Sequence, residues 1–362
     1  MRTIRLFAVL LAAAVLSGCS KLYARDVYEE TRHIERPYGA ADPSDLEASN
    51  ESELKTAILS LIRSGSTAGV IKLTNYQGEA MRDILNAVAD ISNEPLGRYA
   101  VYYFPTPEVT NVSGGYHASI SIIYRRPVEE IKKLVQASGR EGIKSLIEDA
   151  MREFKPTLTV EMTYYDGVEY APDSLVREAY YENPGYALGY PGVNVVLYPE
   201  EDKLGRIIEV NFTYDESAET LSERAVEVAA AADELLDGMS DGLSPEMQVA
   251  YLYEALSERT EFDDEDSATV YGALIEGRAA GEGFALAYKL LCDNADIPCK
   301  IITGTRGTNE HVWNLVEING LWYHTDASSD STRLLKADAD MENYHWLDTG
   351  YPARADVSFL FE

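Results

Sequence analysis

An α+β protein of more than one unit is the fold class this sequence predicts, on three observations. A helix–strand–helix–strand–strand order occurs twice between about Glu51 and Asp215, and the strands within it alternate apolar and polar residues. The last third places an apolar helix ahead of two strands joined by Asn319-Gly320. The chain's 362 residues are enough for two or three cores. The organisation expected is a signal segment at 1–18, a tether at 19–50, and tandem α-β-α-β-β repeats at 51–216, divided into 51–138 and 139–216. A last domain with its leading helices fills 217–362.

The N-terminus carries Arg2 and Arg5 ahead of the apolar run "LFAVLLAAAVL" (Leu6–Leu16), which is too short to span a bilayer as an ordinary helix. The run ends in "LSGC" (Leu16–Cys19). These residues resemble the leader and lipobox of bacterial lipoproteins. The resemblance implies lipidation of Cys19 and a mature chain held on the extracytoplasmic face of the cell membrane by that lipid. A plain signal peptide with an incidental cysteine is the alternative. The polar stretch from Ser20 to about Asn50 has no sustained apolar period and reads as a tether. With 31 Lys+Arg against 61 Asp+Glu, a net charge of −30 argues against nucleic acid as a partner and against electrostatic binding to anionic lipid.

In the repeats, "SELKTAILSLIRSG" (Ser52–Gly65) and "EGIKSLIEDAMREF" (Glu141–Phe154) place apolar residues at helical spacing. The strands "AGVIKLTNY" and "PTLTVEMTYYDG" follow them. Second helices are expected over about Gly78–Ile91 and Asp173–Glu182. The closing strand pairs are "YAVYYFP" with "HASISIIY", and "GVNVVLYP" with "RIIEVNFTY". In the last of these, Ile208, Val210, Phe212 and Tyr214 share one face and Glu209, Asn211 and Thr213 the other, which predicts a half-buried strand. Many of the 25 tyrosines fall in these strands, as tyrosine's preference for sheets predicts. His117 stands alone there, and this half of the chain suggests no function.

Ser244-Pro245 opens a helix, with a capping hydroxyl followed by proline at the first helical position. "GEGFALAYKLLCDNADIP" is apolar around most of its circumference and predicts a buried central helix. Asn319-Gly320 predicts a two-residue hairpin joining "HVWNLVEI" to "LWYHTDAS". With Ile318 facing Leu321, that register puts Trp313 opposite Asp326 and His311 opposite Ser328. His311 and Asp326 then become diagonal neighbours on one face, beside Trp313 and His324. A carboxylate there can accept an imidazole N–H and set its tautomer. A His324–Asp326 metal pair lacks further ligands nearby, so neither a metal nor a cofactor is expected. Apart from Cys19, the cysteines are Cys292 and Cys299; a disulfide and two buried thiols both fit their surroundings.

The stretch "SATVYGALIEGRAAGEGFALAYKLLCDNADIPCKIITG" followed by "HVWNLVEINGLWYHTDAS" resembles the transglutaminase-like domains of bacterial envelope proteins, and "MENYHWLDTGYP" also fits. The resemblance implies a papain-like arrangement with a Cys-His-Asp triad. It assigns the base to His311, the orienting carboxylate to Asp326, and the nucleophile's place at the N-terminus of the central helix to Gly281. Glycine there closes the covalent route. Cys292 lies three turns further along the helix, about 16 Å away, too far to substitute. The expectation is an envelope module without acyl-transfer activity that binds a cell-wall peptide or a protein partner. Trp313, Glu282 and His324 are its expected binding residues. Glu282, in the first helical turn, opposes an anion. A cysteine-independent hydrolase using His311, Asp326 and water is the competing reading, and a purely structural spacer the third.

Overall fold

The structure, a computed structural model, describes residues 34–35, 46–200, 204–329 and 334–361. The signal segment, Cys19 and most of the expected tether lie outside the described residues. The elements run β1 (Ile34–Glu35), β2 (Leu46–Ala48), α1 (Glu51–Ser64), β3 (Ala68–Thr74), α2 (Ala80–Ser92), α3 (Pro95–Ala100) and β4 (Val101–Tyr103). Then come β5 (Glu108–Val112), β6 (Gly115–Ser121), β7 (Ile123–Tyr124) and α4 (Val128–Lys132). The next stretch repeats the pattern with β8 (Val135–Ala137), α5 (Gly139–Arg152), β9 (Thr157–Met162), α6 (Pro172–Glu182), β10 (Gly192–Tyr198) and β11 (Arg206–Thr213).

Local chemistry sets these boundaries. Asn50 caps α1 by accepting from the Glu53 N–H, and Gly65, at φ 71°, ends the helix in the left-handed region. Leu54, Ala57, Ile58, Leu61 and Ile62, three or four apart, form the buried stripe between.

The two sheets share one topology, with orders β2-β3-β6-β5 and β8-β9-β11-β10, β1 extending the second. In each the first pair is parallel and the others antiparallel. Each repeat therefore begins with a strand ahead of its first helix. At three residues, β2 and β8 are too short for alternation to reveal them.

The closing pair expected in the first repeat is different. Tyr99 and Ala100 end a helix, and β4 pairs only with β7 in a separate ribbon. The partner of β6 is β5, "EVTNV", which lacks apolar alternation because none of its residues is buried. The half-buried reading of β11 is also corrected. Ile208, Val210 and Phe212 join the core of the second repeat, while Ile207 on the other face enters the core of the first. Glu209 is only 9% exposed and pairs with Arg126 at 2.7 Å. Arg63 of α1 forks onto Glu161 of β9 at 2.6 and 2.7 Å. The first repeat thus covers the outer face of the second sheet.

The remaining elements are α7 (Ala218–Asp237), α8 (Pro245–Arg259), β12 (Glu261–Phe262), β13 (Arg278–Ala279), α9 (Gly281–Asn294), β14 (Cys299–Arg306), β15 (Asn309–Ile318), β16 (Leu321–Thr325) and β17 (Tyr344–Trp346). The sheet order is β16-β15-β14-β17. One continuous apolar core joins the second repeat (Leu158, Leu175, Val210) to α8 and α9 (Val249, Leu286, Tyr288). No helix of the described residues is long and apolar enough to cross a membrane.

Backbone proximity fixes the start of α9. A Cβ on Gly283 would lie 2.8 Å from the Thr269 carbonyl oxygen and 3.1 Å from that of Ser267. Gly283→Ala should therefore cost about 1–3 kcal/mol in urea unfolding, because carbonyls have to shift. Gly142→Ala in α5 is the control. Its Cβ would make ordinary contact at 3.5 Å, so helix propensity should leave stability equal or higher by up to about 1 kcal/mol.

Candidate functional site

The site forms where the N-terminus of α9 meets β15. Asn314, fully buried, donates from Nδ2 to the Ala285 carbonyl at 2.9 Å and ties the strand to the helix. The hairpin turns on Asn319 and Gly320, both at positive φ, with Ile318 opposite Leu321. From that register the ribbon brings His311 Nε2 to 2.8 Å from Asp326 Oδ2.

Asp326 collects four hydrogen bonds. Oδ2 accepts from His311 and from the Tyr344 hydroxyl at 2.7 Å; Oδ1 accepts from the Ser328 hydroxyl at 2.7 Å and the Ser328 N–H at 3.1 Å. Burial pushes its carboxyl up, but the donated bonds from His311, Tyr344 and Ser328 outweigh that and hold it below the usual range. Burial, followed by the nearby Asp326 charge, pushes the Tyr344 hydroxyl up, so it stays a donor. A carboxylate only accepts, so His311 carries its proton on Nε2 when neutral and presents the Nδ1 lone pair on its other side.

That other side is residue 281. Gly281 is the first residue of α9, and a Cβ built on it would lie 3.0 Å from His311 Cε1, 3.2 Å from Nδ1 and 3.7 Å from Ser328 Oγ. No side chain caps this helix end, so its first N–H groups are unmet by a capping residue. Ser328 is a hydroxyl brought close that the helix sequence does not reveal; its place opposite His311 in the hairpin register is the signal. Its proton goes to Asp326, so it is not activated by the imidazole.

Trp313 and His324, expected to bind, are both fully buried behind His311 and leave no surface open to the cleft. Trp313 stacks on His311 with ring centres 6.0 Å apart and donates from Nε1 to His324 Nδ1 at 2.9 Å. His324 therefore accepts on Nδ1 and donates from Nε2 to Asp338 at 2.9 Å, which is the neutral tautomer. Burial lowers its pKa, with the Asp338 contact opposing. No group of three or more potential metal ligands occurs among the described residues.

Glu282 borders the cleft and accepts from the Tyr181 hydroxyl at 3.0 Å. Burial raises its carboxyl pKa, partly offset by Tyr181 and Arg177. The cleft in front of Gly281 has a volume of about 840 Å³. One side is Arg177, Tyr181 and Tyr190 of the second repeat and the other His345, Trp346 and Leu347. Sequence reasoning missed the first group, because nothing in the helix Pro172–Glu182 marks it as facing a site contributed from a hundred residues away. Cys292 and Cys299 are free, buried thiols. Burial, and then the neighbouring Cys299, raises the Cys292 thiol.

Residues 230–327 match the family model of the transglutaminase-like superfamily, a stretch that contains Gly281, His311 and Asp326. The chain carries a transglutaminase-like domain. Among solved structures, a TGase is 12% identical with a TM-score of 0.27, and the match covers 64% of this chain and 66% of that one. A candidate cysteine protease from Cytophaga hutchinsonii is 12% identical with a TM-score of 0.26, covering 42% and 68%. A candidate protease from Parabacteroides distasonis is 11% identical with a TM-score of 0.24, covering 61% and 48%. The chain thus spans just under two thirds of the first of these. No curated protein matches the sequence.

The depressed pKa of His324 has a sign that can be checked. The stability it contributes is full above the unfolded value near 6.5 and is lost as pH falls through the lower folded value. Between pH 7 and pH 5 the melting temperature should fall further in the wild type than in His324→Asn, as read by calorimetry at matched ionic strength.

Proposed function

We propose that the transglutaminase-like domain is a binding module that has lost covalent catalysis. The observation that carries this reading is the pairing of Gly281 with His311. The imidazole nitrogen that would take a nucleophile's proton faces a residue with no side chain, at 3.2 Å from where a Cβ would stand. Without a thiol or hydroxyl there, no acyl intermediate forms. The remaining features, an open cleft, an uncapped helix end and a lone pair on Nδ1, suit recognition of a peptide of cell-wall or protein origin.

The carboxylate-held imidazole also favours one second reading. His311 with Asp326 could polarise a water and hydrolyse a ligand without an adduct. Turnover of amide or ester substrates that follows a single ionisation and disappears in His311→Ala would select the hydrolase. Binding without turnover selects the module.

The leader residues support a further reading, in which the protein is anchored by lipid on Cys19 at the extracytoplasmic face of a bacterial membrane. In the native host, Cys19→Ser should abolish incorporation of labelled palmitate and leave an uncleaved or soluble chain; unchanged labelling would refute the anchor.

Gly281→Cys tests the site directly. The imidazole has to give by a few tenths of an ångström, because a Cβ at 3.0 Å is tight. The new thiol, at a helix N-terminus and beside His311, should react with iodoacetamide at least about tenfold faster at pH 7 than the buried Cys292 and Cys299. A thiol at 281 as slow as those two would refute the assignment.

A further inference from the structure

The strand β14 is paired with β15 along its whole length, but β17 meets it only at Gly304, Thr305 and Arg306. Towards Cys299 no strand among the described residues pairs with the β17 side of β14; the helix α6 lies beside that edge, across a cavity. Alternation along a strand shows which backbone groups lie on it. The Gly307 N–H reaches Asn343, beside β17, and the Thr303 N–H reaches the Tyr351 hydroxyl at a long 3.4 Å. On the opposite side, the Pro298 carbonyl accepts from Glu317 of β15. Odd-numbered residues therefore point away from β15. The Cys299 carbonyl is met by Lys289 Nζ at 3.1 Å. Between these two, the N–H and C=O of Ile301 have no partner among the described residues. They border a cavity of about 1110 Å³, whose lining also includes Arg177, Tyr181 and Thr303. Those three residues line the cleft at Gly281 as well, so the two spaces adjoin.

We propose that the open edge of β14 at Cys299–Thr303 takes an extended polypeptide segment as an added strand, which then runs along the cleft towards His311. This deepens the binding reading above and rests on it for the direction of the ligand, while the edge itself does not depend on Gly281. An unmatched donor and acceptor on one strand residue are what the backbone of another strand satisfies, and neither a sugar nor a lipid tail offers that pair at strand spacing. The Tyr351 hydroxyl on Thr303 is a weak cover that an incoming carbonyl replaces. Of the lining carboxylates, Glu178 and Glu182 are met by Arg140 and Lys144, and Asp293 by Lys289; Asp173, Asp264, Glu282 and Glu310 then stand against Arg177 and Lys300, which favours a segment with basic rather than acidic side chains.

The test uses the full chain and fluorescein-labelled peptides about ten residues long, roughly 33 Å when extended. One alternates lysine and valine, one alternates glutamate and valine, and one is the lysine–valine peptide with every backbone amide methylated. The first should bind in fluorescence anisotropy, with the other two at least about tenfold weaker. Hydrogen exchange at the Ile301 amide should slow by about tenfold or more on binding. Tyr351→Phe, which uncovers the Thr303 N–H, should bind the first peptide more tightly. Binding that protects Gly281 and His311 but leaves Ile301 fast would overturn the strand proposal and leave the cleft reading intact. Equal binding of the methylated peptide, or no binding of any of the three, would also overturn it. The cleft reading is judged separately, by the reactivity of the thiol at 281.

Discussion

The Asp326 carboxylate is the fixed point of the site. Placing a nearly buried anion beside an imidazole is unfavourable unless its lone pairs are met, and here His311, Tyr344 and Ser328 meet both oxygens. Three separate elements are thereby pinned: the strand bearing His311, the loop after β16 and the short strand β17. The orientation of His311 follows, and with it the direction of its free nitrogen. Trp313, anchored through His324 to Asp338, holds the ring from behind. A carboxylate-held imidazole thus stands in a fixed orientation beside a residue that has no side chain.

The second constraint is the covering of sheets. A sheet with apolar residues on one face needs one layer of helices, and the second repeat has its own in α5 and α6. Its opposite face is also covered, because the first repeat settles on it. Two Arg–Glu pairs, Arg63–Glu161 and Arg126–Glu209, lie in that contact. Each cation is partly exposed and each carboxylate nearly buried, so desolvation offsets much of their attraction.

Much of this was legible in the sequence because it depends on local rules. Asn319-Gly320 forces a two-residue turn, and from that turn alone the approach of His311 to Asp326 follows. The helical stripes of α1 and α5 and the apolar circumference of α9 were equally plain. What was hidden depends on distant partners. Glu209 looks like a solvent-facing residue until Arg126, from another repeat, is laid over it. The strands β2, β5 and β8 are too short or too polar to show a period. Tyr181 and Tyr190 read as surface tyrosines of a repeat, since their place in the cleft is set by how that repeat packs on the last domain. Sequence reasoning also expected Trp313 and His324 to bind; both are fully buried behind the imidazole, packed against Trp346.

The shared core has an evolutionary consequence. Because the second repeat and the helices of the transglutaminase-like part bury their apolar residues together, neither could be inherited by another protein alone without uncovering a broad oily surface. The seam between the two repeats is different in kind: polar pairs cross it, and among the described residues the second repeat supplies to the first repeat's core only Ile207 and the partly buried Tyr198. Recombination would therefore exchange or multiply modules at that seam, near residue 135, and leave everything after it to travel as one piece.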